Sequence, residues 1–419
     1  IMLLGVIADD FTGATDIAGF LVEHGMRTVQ LNDVPHCNTV VDADAVVVSL
    51  KTRSCPVEQA IEQSLAALKW LQQQGCQQFY FKYCSTFDST AKGNIGPVTD
   101  ALLAALGESF TIVCPALPVN GRTVFNGHLF VLGEPLNESG MRNHPVTPMT
   151  DSSLVRLMNS QSQGEAGLVN YQTIEQGAEA ITNQFAELQS AGKRYAVVDA
   201  FNSAHLATLG QAAKSLKLIT GGSGLAAGIA KNWQQQLQDQ GEAKKAGYPT
   251  KAATVILSGS CSLMTNKQVA AYKTLAPHFA VDVGACMNNA HYLQQAFDWV
   301  VNNLDGKFAP MVYATQPAAQ LKAIQAKYGA HASSEAVELF FSKLAYLLKE
   351  FGIQNFIVAG GETSGTVTQG LAVKGFHIGP QIASGVPWVK SIDGSLSLAL
   401  KSGNFGDELF FEKAQEFYL

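Results

Sequence analysis

Short apolar runs alternate with amphipathic stretches along the first half of the chain. The runs fall at residues 3 to 8, 44 to 49, 78 to 83, 110 to 114, 166 to 170, 195 to 199 and 216 to 220. Strand, helix, strand at this spacing implies parallel α/β structure. Residues 56 to 74 give the helical counterpart, with Val57, Ile61, Leu65, Leu68 and Leu71 on a common face that predicts a helix lying against the sheet. Between Gln234 and Ala253 the pattern breaks: the segment is polar, carries two Gly and one Pro, and has no apolar period after Leu237. Beyond it the α/β rhythm restarts at Thr254, Phe279, Pro310, Phe356 and Gly375. The predicted fold is therefore two α/β domains, 1–240 and 252–419, each a mostly parallel sheet flanked by helices. At 419 residues the chain also exceeds the about 250 to 300 at which a single core stops growing. A long apolar helix over 333 to 350 fits either core or a subunit interface, so a homo-oligomer is open.

Composition sharpens this picture. Apolar residues make up 47% and charged residues 15%, as large buried sheets require. The net charge of -6 leaves no basic footprint for nucleic acid. Any anionic substrate must then be held by local Lys, Arg and backbone donors. The seven cysteines (37, 55, 76, 84, 114, 261, 286) form no C-x-x-C pair and are expected as reduced thiols in a cytoplasmic protein. The run from Met2 to Ala8 stops at Asp9, too short for a secretion signal or a membrane span. The nine histidines lack zinc-site spacing.

Two strand-loop-helix junctions carry most of the candidate chemistry. At such a junction the free N–H groups and positive dipole end of the helix face the space above the strand's carboxyl end, where anions bind. The first, Gly5 to Asp16, adds three carboxylates: Asp9, Asp10 and Asp16. Asp10 or Thr12 would serve as the cap of a helix starting near Gly13, but one cap does not require two adjacent acids and a third. Asp10 is the leading candidate for a general base or an acceptor of a ligand hydroxyl. The second junction, Phe356 to Gly365, has only Glu362 and is rich in bare backbone. One junction suits hydroxyl or metal chemistry and the other a phosphate, a division that suggests a two-domain phosphotransferase.

The remaining candidates stand after other strands. The loop from Phe81 to Gly96 gathers Lys82, Ser85, Thr86, Asp88, Ser89, Thr90, Lys92 and Asn94. Asp88 or Ser89 could cap a helix over 95 to 106, but the interleaved lysines suit a carboxylate or phosphate. Asn120-Gly121 is a turn signal, and Arg122 beside it could clamp a carboxylate with two parallel hydrogen bonds. In the second domain, Leu257 to Ser262 and Gly360 to Gly365 are small-residue turns that would form anion nests. Neither matches G-x-x-x-x-G-K-[ST] or G-x-G-x-x-G. Lys401 to Asp407 is a third loop that would complete a nucleotide pocket or be only a turn. Thr220 to Gly228 looks as glycine-rich as these, but its place in the first domain reads as a strand-to-helix turn that could face the substrate.

Ile7-Ala-Asp-Asp-Phe-Thr-Gly-Ala-Thr-Asp16, Phe87-Asp-Ser-Thr-Ala-Lys-Gly-Asn94, Asn120-Gly-Arg122 and Gly360-Gly-Glu-Thr-Ser-Gly365 occur in one order along the chain. Together they resemble the four-carbon acid sugar kinase family, once a domain of unknown function, over essentially the whole length. Within that family the chain is most similar to the 3-oxo-tetronate 4-kinase branch. The resemblance implies an amino-terminal domain for the acid sugar and a carboxy-terminal domain for ATP, with Ser258, Gly360, Gly361, Glu362, Thr363 and Gly403 at nucleotide positions. It implies transfer of the ATP γ-phosphoryl to the terminal hydroxyl of a four-carbon 3-keto acid, or of D-erythronate or D-threonate. Many members carry Lys and Arg where this chain has Thr86 and Lys92.

In that frame Arg122 would hold the substrate carboxylate, with Lys82 or Lys92, and Asp10 or Asp88 would orient its terminal hydroxyl. Asp9, Thr12 and Ser85 would line the same site. Mg²⁺ is expected with ATP, although no dedicated ligand set is visible. Two other functions fit the residues less well. A nicotinamide-dependent oxidoreductase lacks its glycine fingerprint here. A sugar-acid binding or sensor protein would leave the phosphate-like loops unused.

Overall fold

In the computed structural model, which describes residues 2–36, 41–237 and 242–419, two compact units form, Ile1–Ala243 and Lys244–Leu419. Cys37 and position 240 lie outside the described residues.

The first unit is laid down by strands β1 (Leu4–Ala8), β2 (Thr28–Asn32), β3 (Ala45–Ser49), β4 (Gln78–Lys82) and β5 (Thr111–Cys114). An antiparallel excursion comes next, β6 (Arg122–Phe125), β7 (His128–Val131) and β8 (Glu134–Pro135), before β9 (Ala166–Val169), β10 (Tyr195–Val198) and β11 (Leu218–Gly221). The main sheet runs β2-β3-β1-β4-β11-β5-β10-β9, and all its pairings are parallel. Its central strands are buried along their whole length, as in a sheet covered on both faces. The chain builds one side of β1 through β3 and β2, then crosses to the other through β4. This reversal opens a crevice above the carboxyl end of β1, the usual ligand position in such sheets.

The helix Val57–Gln73 matches the predicted span, and its buried face keeps Leu68 and Leu71 of the predicted one but leaves Val57, Ile61 and Leu65 only partly buried. Ala60, Ser64, Ala67, Leu68 and Leu71 point inward, while Ile61 and Leu65 sit at the margin. The helix lies close on β1 at Gly5, where an added Cβ would stand 3.0 Å from Leu71 Cδ1. Strand β2, Thr-Val-Gln-Leu-Asn, breaks the apolar pattern because its buried Gln30 accepts a hydrogen bond from Thr15 Oγ1 at 3.0 Å.

The second unit contains β12 (Thr254–Ser258), β13 (His278–Ala280), β14 (Met311–Tyr313), β15 (Asn355–Ala359), β16 (Gly375–Ala383), β17 (Val386–Ser391) and β18 (Ser397–Lys401). The order is β13-β14-β12-β15-β18-β17-β16, parallel from β13 to β18 and antiparallel through β17 and β16. The core under this sheet gathers Ile256, Met311, Ile357, Trp388 and Phe411, and Trp388 Nε1 donates to Ala414 O at 2.9 Å. Helix Ala330–Phe351 buries Val337, Phe340, Phe341, Leu344 and Leu348, so that stripe is core. No helix among the described residues is long and apolar enough to cross a membrane. The described cysteines are free thiols.

Candidate active site

The registers of the first sheet bring three loops to one level. Ala8 pairs with Ser49 on one side and with Lys82 on the other, so β1, β3 and β4 end flush. The loops leaving these strands therefore meet at the crevice, bringing together Asp9 and Asp10, then Thr52 and Arg53, then Lys82 to Asp88. The Asp9 carbonyl accepts the backbone N–H groups of Thr52 at 3.0 Å and Arg53 at 3.2 Å, pinning the second loop beside the first. Asn94 Nδ2 holds that loop from the other side through Thr52 O at 2.8 Å and Cys55 O at 2.9 Å.

Arg53 is the hub of the cluster. Its Nη2 and Nε donate to the two oxygens of Asp9 at 2.9 and 3.1 Å. Nη2 also stands 3.1 Å from Asp10 Oδ1, and Nη1 3.6 Å from Asp88 Oδ2. Burial pushes the Asp9 carboxyl pKa up from its ordinary range, and the Arg53 charge opposes that rise. Sequence reading missed Arg53. The available signal was its position just past an apolar strand, in a loop with no glycines to draw attention to it.

Asp10 caps the helix Phe11–Glu23: Oδ1 accepts from Gly13 N at 2.9 Å, and Oδ2 accepts from Thr12 Oγ1 at 3.3 Å. Capping does not exhaust it. Its side chain keeps 31% of its exposure against 7% for Asp9 and 10% for Asp88, so Asp10 is the carboxylate of the three most open to a ligand. Asp88 is set by unusual backbone. Phe87 and Asp88 both adopt positive φ, 66° and 47°, a conformation that is rare for an aromatic residue. Burial of the Phe87 ring edge-on to Tyr83, with centroids 5.5 Å apart, holds it there. Asp88 Oδ1 then accepts from Thr86 Oγ1 at 2.6 Å. Ser89, not Asp88, contributes to the start of helix Ile95–Leu106, its Oγ accepting from Ile95 N at 3.4 Å.

Lys82, Arg122 and Asp16 form a second group of charges. Lys82 is buried and donates to Tyr83 O at 2.7 Å, with no ion pair among the described residues. Arg122 has a buried Nε without a hydrogen-bond acceptor. Asp16 feels both cations, but burial outweighs them and raises its carboxyl pKa. Its Oδ2 accepts from Ser223 Oγ at 2.9 Å, while its Oδ1 has no partner. Ser223 comes from the 220–228 turn. The glycines of that turn serve close packing, since a Cβ on Gly221 or Gly224 would stand 2.4 or 2.2 Å from the carbonyl oxygens of Cys114 and Ala116. Ser85 is half-buried on its loop, and Lys92 is exposed.

The second unit repeats the geometry without the acids. Ser258 pairs with Ala359, and Ala359 with Lys401, so β12, β15 and β18 also end flush. Gly360 turns at φ 121° and opens the helix Gly361–Gly370, whose first intrahelical bond is Ser364 N to Gly360 O at 2.8 Å. The N–H groups of Gly361, Glu362 and Thr363 precede that bond and face a cavity of about 300 Å³. Val283, Leu321, Ile324 and Val337 supply apolar wall, a shape suited to a flat heterocycle with phosphates at the helix end. Glu338 also lines it: Oε1 accepts from Thr363 Oγ1 at 3.1 Å and Oε2 is unpartnered.

Ser258 differs from its expected role in one respect. Its hydroxyl is buried against Thr315 Oγ1 at 2.7 Å, so its side chain is spent inside the fold, and the cavity is lined by Gly259 and Ser260 instead. Gly403 touches the same loop, where an added Cβ would stand 2.9 Å from Ser260 Oγ.

Comparison with known proteins matches this division. Residues 4–229 match a sugar-binding N-terminal domain and residues 255–411 a nucleotide-binding C-terminal domain. A 3-oxo-tetronate kinase of Brucella melitensis biotype 1 is 61% identical over 416 residues, 99% of this chain and 95% of that protein. One from Escherichia coli K12 is 57% identical over 383 residues, 91% of this chain and 98% of that protein. A crystal structure from Salmonella typhimurium LT2, described as a candidate tRNA synthase, superposes with a TM-score of 0.95 at 57% identity, covering 100% of both chains. One from Haemophilus influenzae, assigned to a family of unknown function, gives 0.87 at 57% identity over 99% of this chain and 100% of that one.

Proposed function

The chain belongs to the family that joins a sugar-binding amino-terminal domain to a nucleotide-binding carboxy-terminal domain, and we propose that it transfers the γ-phosphoryl of ATP to the C4 hydroxyl of 3-oxo-tetronate. It is a kinase. The observation that carries the reading is the division of chemistry between the units. Carboxylates and uncommitted cations stand at the strand ends of the first, and bare N–H groups face an apolar-walled cavity in the second. A net charge of -6 gives no support to a tRNA-binding role.

In this reading the substrate carboxylate lies against Lys82 and Arg122, whose open donors are otherwise unfilled. The C4 hydroxyl donates to Asp10, the most open of the clustered acids. As the oxygen attacks the γ-phosphorus, its proton passes to Asp10, the bond from phosphorus to the β,γ-bridging oxygen breaks, and ADP leaves. Phosphoryl transfer asks mainly for alignment and charge neutralisation, and Asp10 serves it by orienting the hydroxyl and accepting its proton. Arg53 keeps Asp9, Asp10 and Asp88 in place and reduces their mutual repulsion.

The N–H groups of Gly361, Glu362 and Thr363 receive phosphate oxygens in this reading. Mg²⁺ bound with the nucleotide would neutralise phosphate charge. Glu338, with its orphaned Oε2, and Glu362 are the carboxylates lining the cavity that would hold it.

The test is the product. After incubation with Mg·ATP and 3-oxo-tetronate, ³¹P NMR should show a phosphomonoester coupled to the two C4 protons. Inorganic phosphate as the sole product would overturn the proposal.

A further inference from the structure

One residue ties together the turn at Gly360, the loop at Ser402 and Gly403, and the helix that follows the 258–262 loop. Lys401 ends β18, and its backbone carbonyl accepts the Gly360 N–H at 2.7 Å, fixing the turn that opens helix Gly361–Gly370. Its ammonium donates to Gly403 O at 2.6 Å, Ser402 O at 3.0 Å and Thr265 Oγ1 at 3.0 Å. Thr265 stands in the first turn of helix Leu263–Tyr272, directly after the 258–262 loop, and donates to the same Gly403 carbonyl at 2.7 Å. Lys401 is fully buried.

What distinguishes this lysine is that all its acceptors are neutral. A buried cation is ordinarily paired with an acid, because dipoles alone compensate poorly for lost water. Here no carboxylate, histidine or second cation exerts a resolved influence on it among the described residues. The elements packed around it carry few charges. Helix Leu263–Tyr272 has Lys267, which is exposed; helix Gly361–Gly370 has Glu362; β17 has Lys390, paired with Ser397 at the opposite end of β18. Burial pushes the Lys401 pKa down to about 7. An uncompensated cation behind the two loops that line the cavity, 259–261 and 360–363, is a cost to the empty protein that a bound anion would relieve.

We propose that Lys401 is a positioning residue of the nucleotide site, its backbone carbonyl holding the 360 turn, its buried ammonium holding the 403 loop against helix Leu263–Tyr272 and placing a positive charge behind the phosphates of the nucleotide. The proposal rests on the assignment of the second unit to the nucleotide. Bound phosphate favours the charged lysine, so affinity is full where Lys401 is already protonated and declines as pH rises through about 7, until the raised pKa of the complex is passed.

The test is equilibrium binding of ADP and of adenosine, at fixed Mg²⁺, to the full-length wild type, Lys401→Met and Lys401→Arg at pH 6.5 and 8.5. Lys401→Met should lose about tenfold or more in ADP affinity at pH 6.5, with a smaller loss at pH 8.5 and adenosine binding little changed. Lys401→Arg, charged throughout, should show a flatter pH profile for ADP than the wild type. Equal losses for ADP and adenosine in Lys401→Met would overturn the electrostatic role. Should Lys401→Met fail to fold, the wild type and Lys401→Arg decide, and identical pH profiles overturn the proposal. Failure of the wild type to bind ADP at all would instead overturn the nucleotide assignment beneath it.

Discussion

Arg53 grips Asp9 through two near-parallel hydrogen bonds, Nη2 to Oδ1 at 2.9 Å and Nε to Oδ2 at 3.1 Å, and the same guanidinium reaches Asp10 and Asp88. One cation thus holds a carboxylate from each of two loops together with the base candidate. Removing it leaves acids facing one another with little water. Arg53→Met should cost about 3 to 5 kcal/mol of stability in urea unfolding at pH 7.5. Arg53→Lys, which keeps the charge but not the fork, should lose less stability yet still slow turnover. Unchanged stability in Arg53→Met would show that the cluster is solvated.

Asp10 performs two tasks that one substitution can separate. Asparagine is as good a helix cap as aspartate, so Asp10→Asn should leave the helix Phe11–Glu23 intact and thermal stability nearly unchanged. Its carboxamide cannot take the proton of the substrate hydroxyl. The expected result is a fall in kcat of about 10² to 10⁴ with a much smaller change in substrate affinity. A fall in binding alone, with kcat intact, would remove Asp10 from the proton-transfer role.

The parallel strands and the helix at Val57–Gln73 were legible because continuous apolar runs and a helical period survive burial. The junction acids stood out as well, since Asp9-Asp10 is too polar for the end of a buried strand. Arg53 was not legible: nothing local marks it, and its meaning arises from the flush ends of β1 and β3, a matter of register. Strands β17 and β18 escaped because Pro387 and the polar ends of both blur their period, while the sheet buries them regardless. Ser258 stood in a small-residue turn that read as an anion nest, and only the fold brings Thr315 against its hydroxyl. Lys401 read as the start of a loop that would complete a nucleotide pocket or be only a turn, yet it is the buried last residue of a strand.

Asp16 gives a pH signature. Its carboxyl pKa in the folded protein is raised above the ordinary 3.8 by burial, so the folded state favours the protonated form. The ionised group therefore costs stability, a cost that is absent below about 3.8 and grows as pH rises through the folded value. Asp16→Asn keeps an acceptor for Ser223 and removes the cost. Urea titrations should find the variant at least as stable as wild type at pH 8, with its relative advantage shrinking toward pH 4. A variant less stable at pH 8 than at pH 4, relative to wild type, would contradict this.

Gly360 turns at φ 121°, and a Cβ there would stand 3.1 Å from Ser260 N. Gly360→Ala should lose about 1 to 3 kcal/mol of stability. It should also weaken ADP binding by about tenfold or more in calorimetry, because the strain falls on the turn that aims the Gly361 to Thr363 N–H groups. Binding unchanged in a destabilised variant would place the phosphates elsewhere.

The most direct test of the proposed activity is the initial rate of ADP release from Mg·ATP with 3-oxo-tetronate, D-erythronate and D-threonate supplied separately. Saturable turnover with the 3-keto acid, abolished or nearly so by Asp10→Asn, is the predicted result. Turnover with only the two hydroxy acids, or none with any acid from protein that binds ADP, would contradict it.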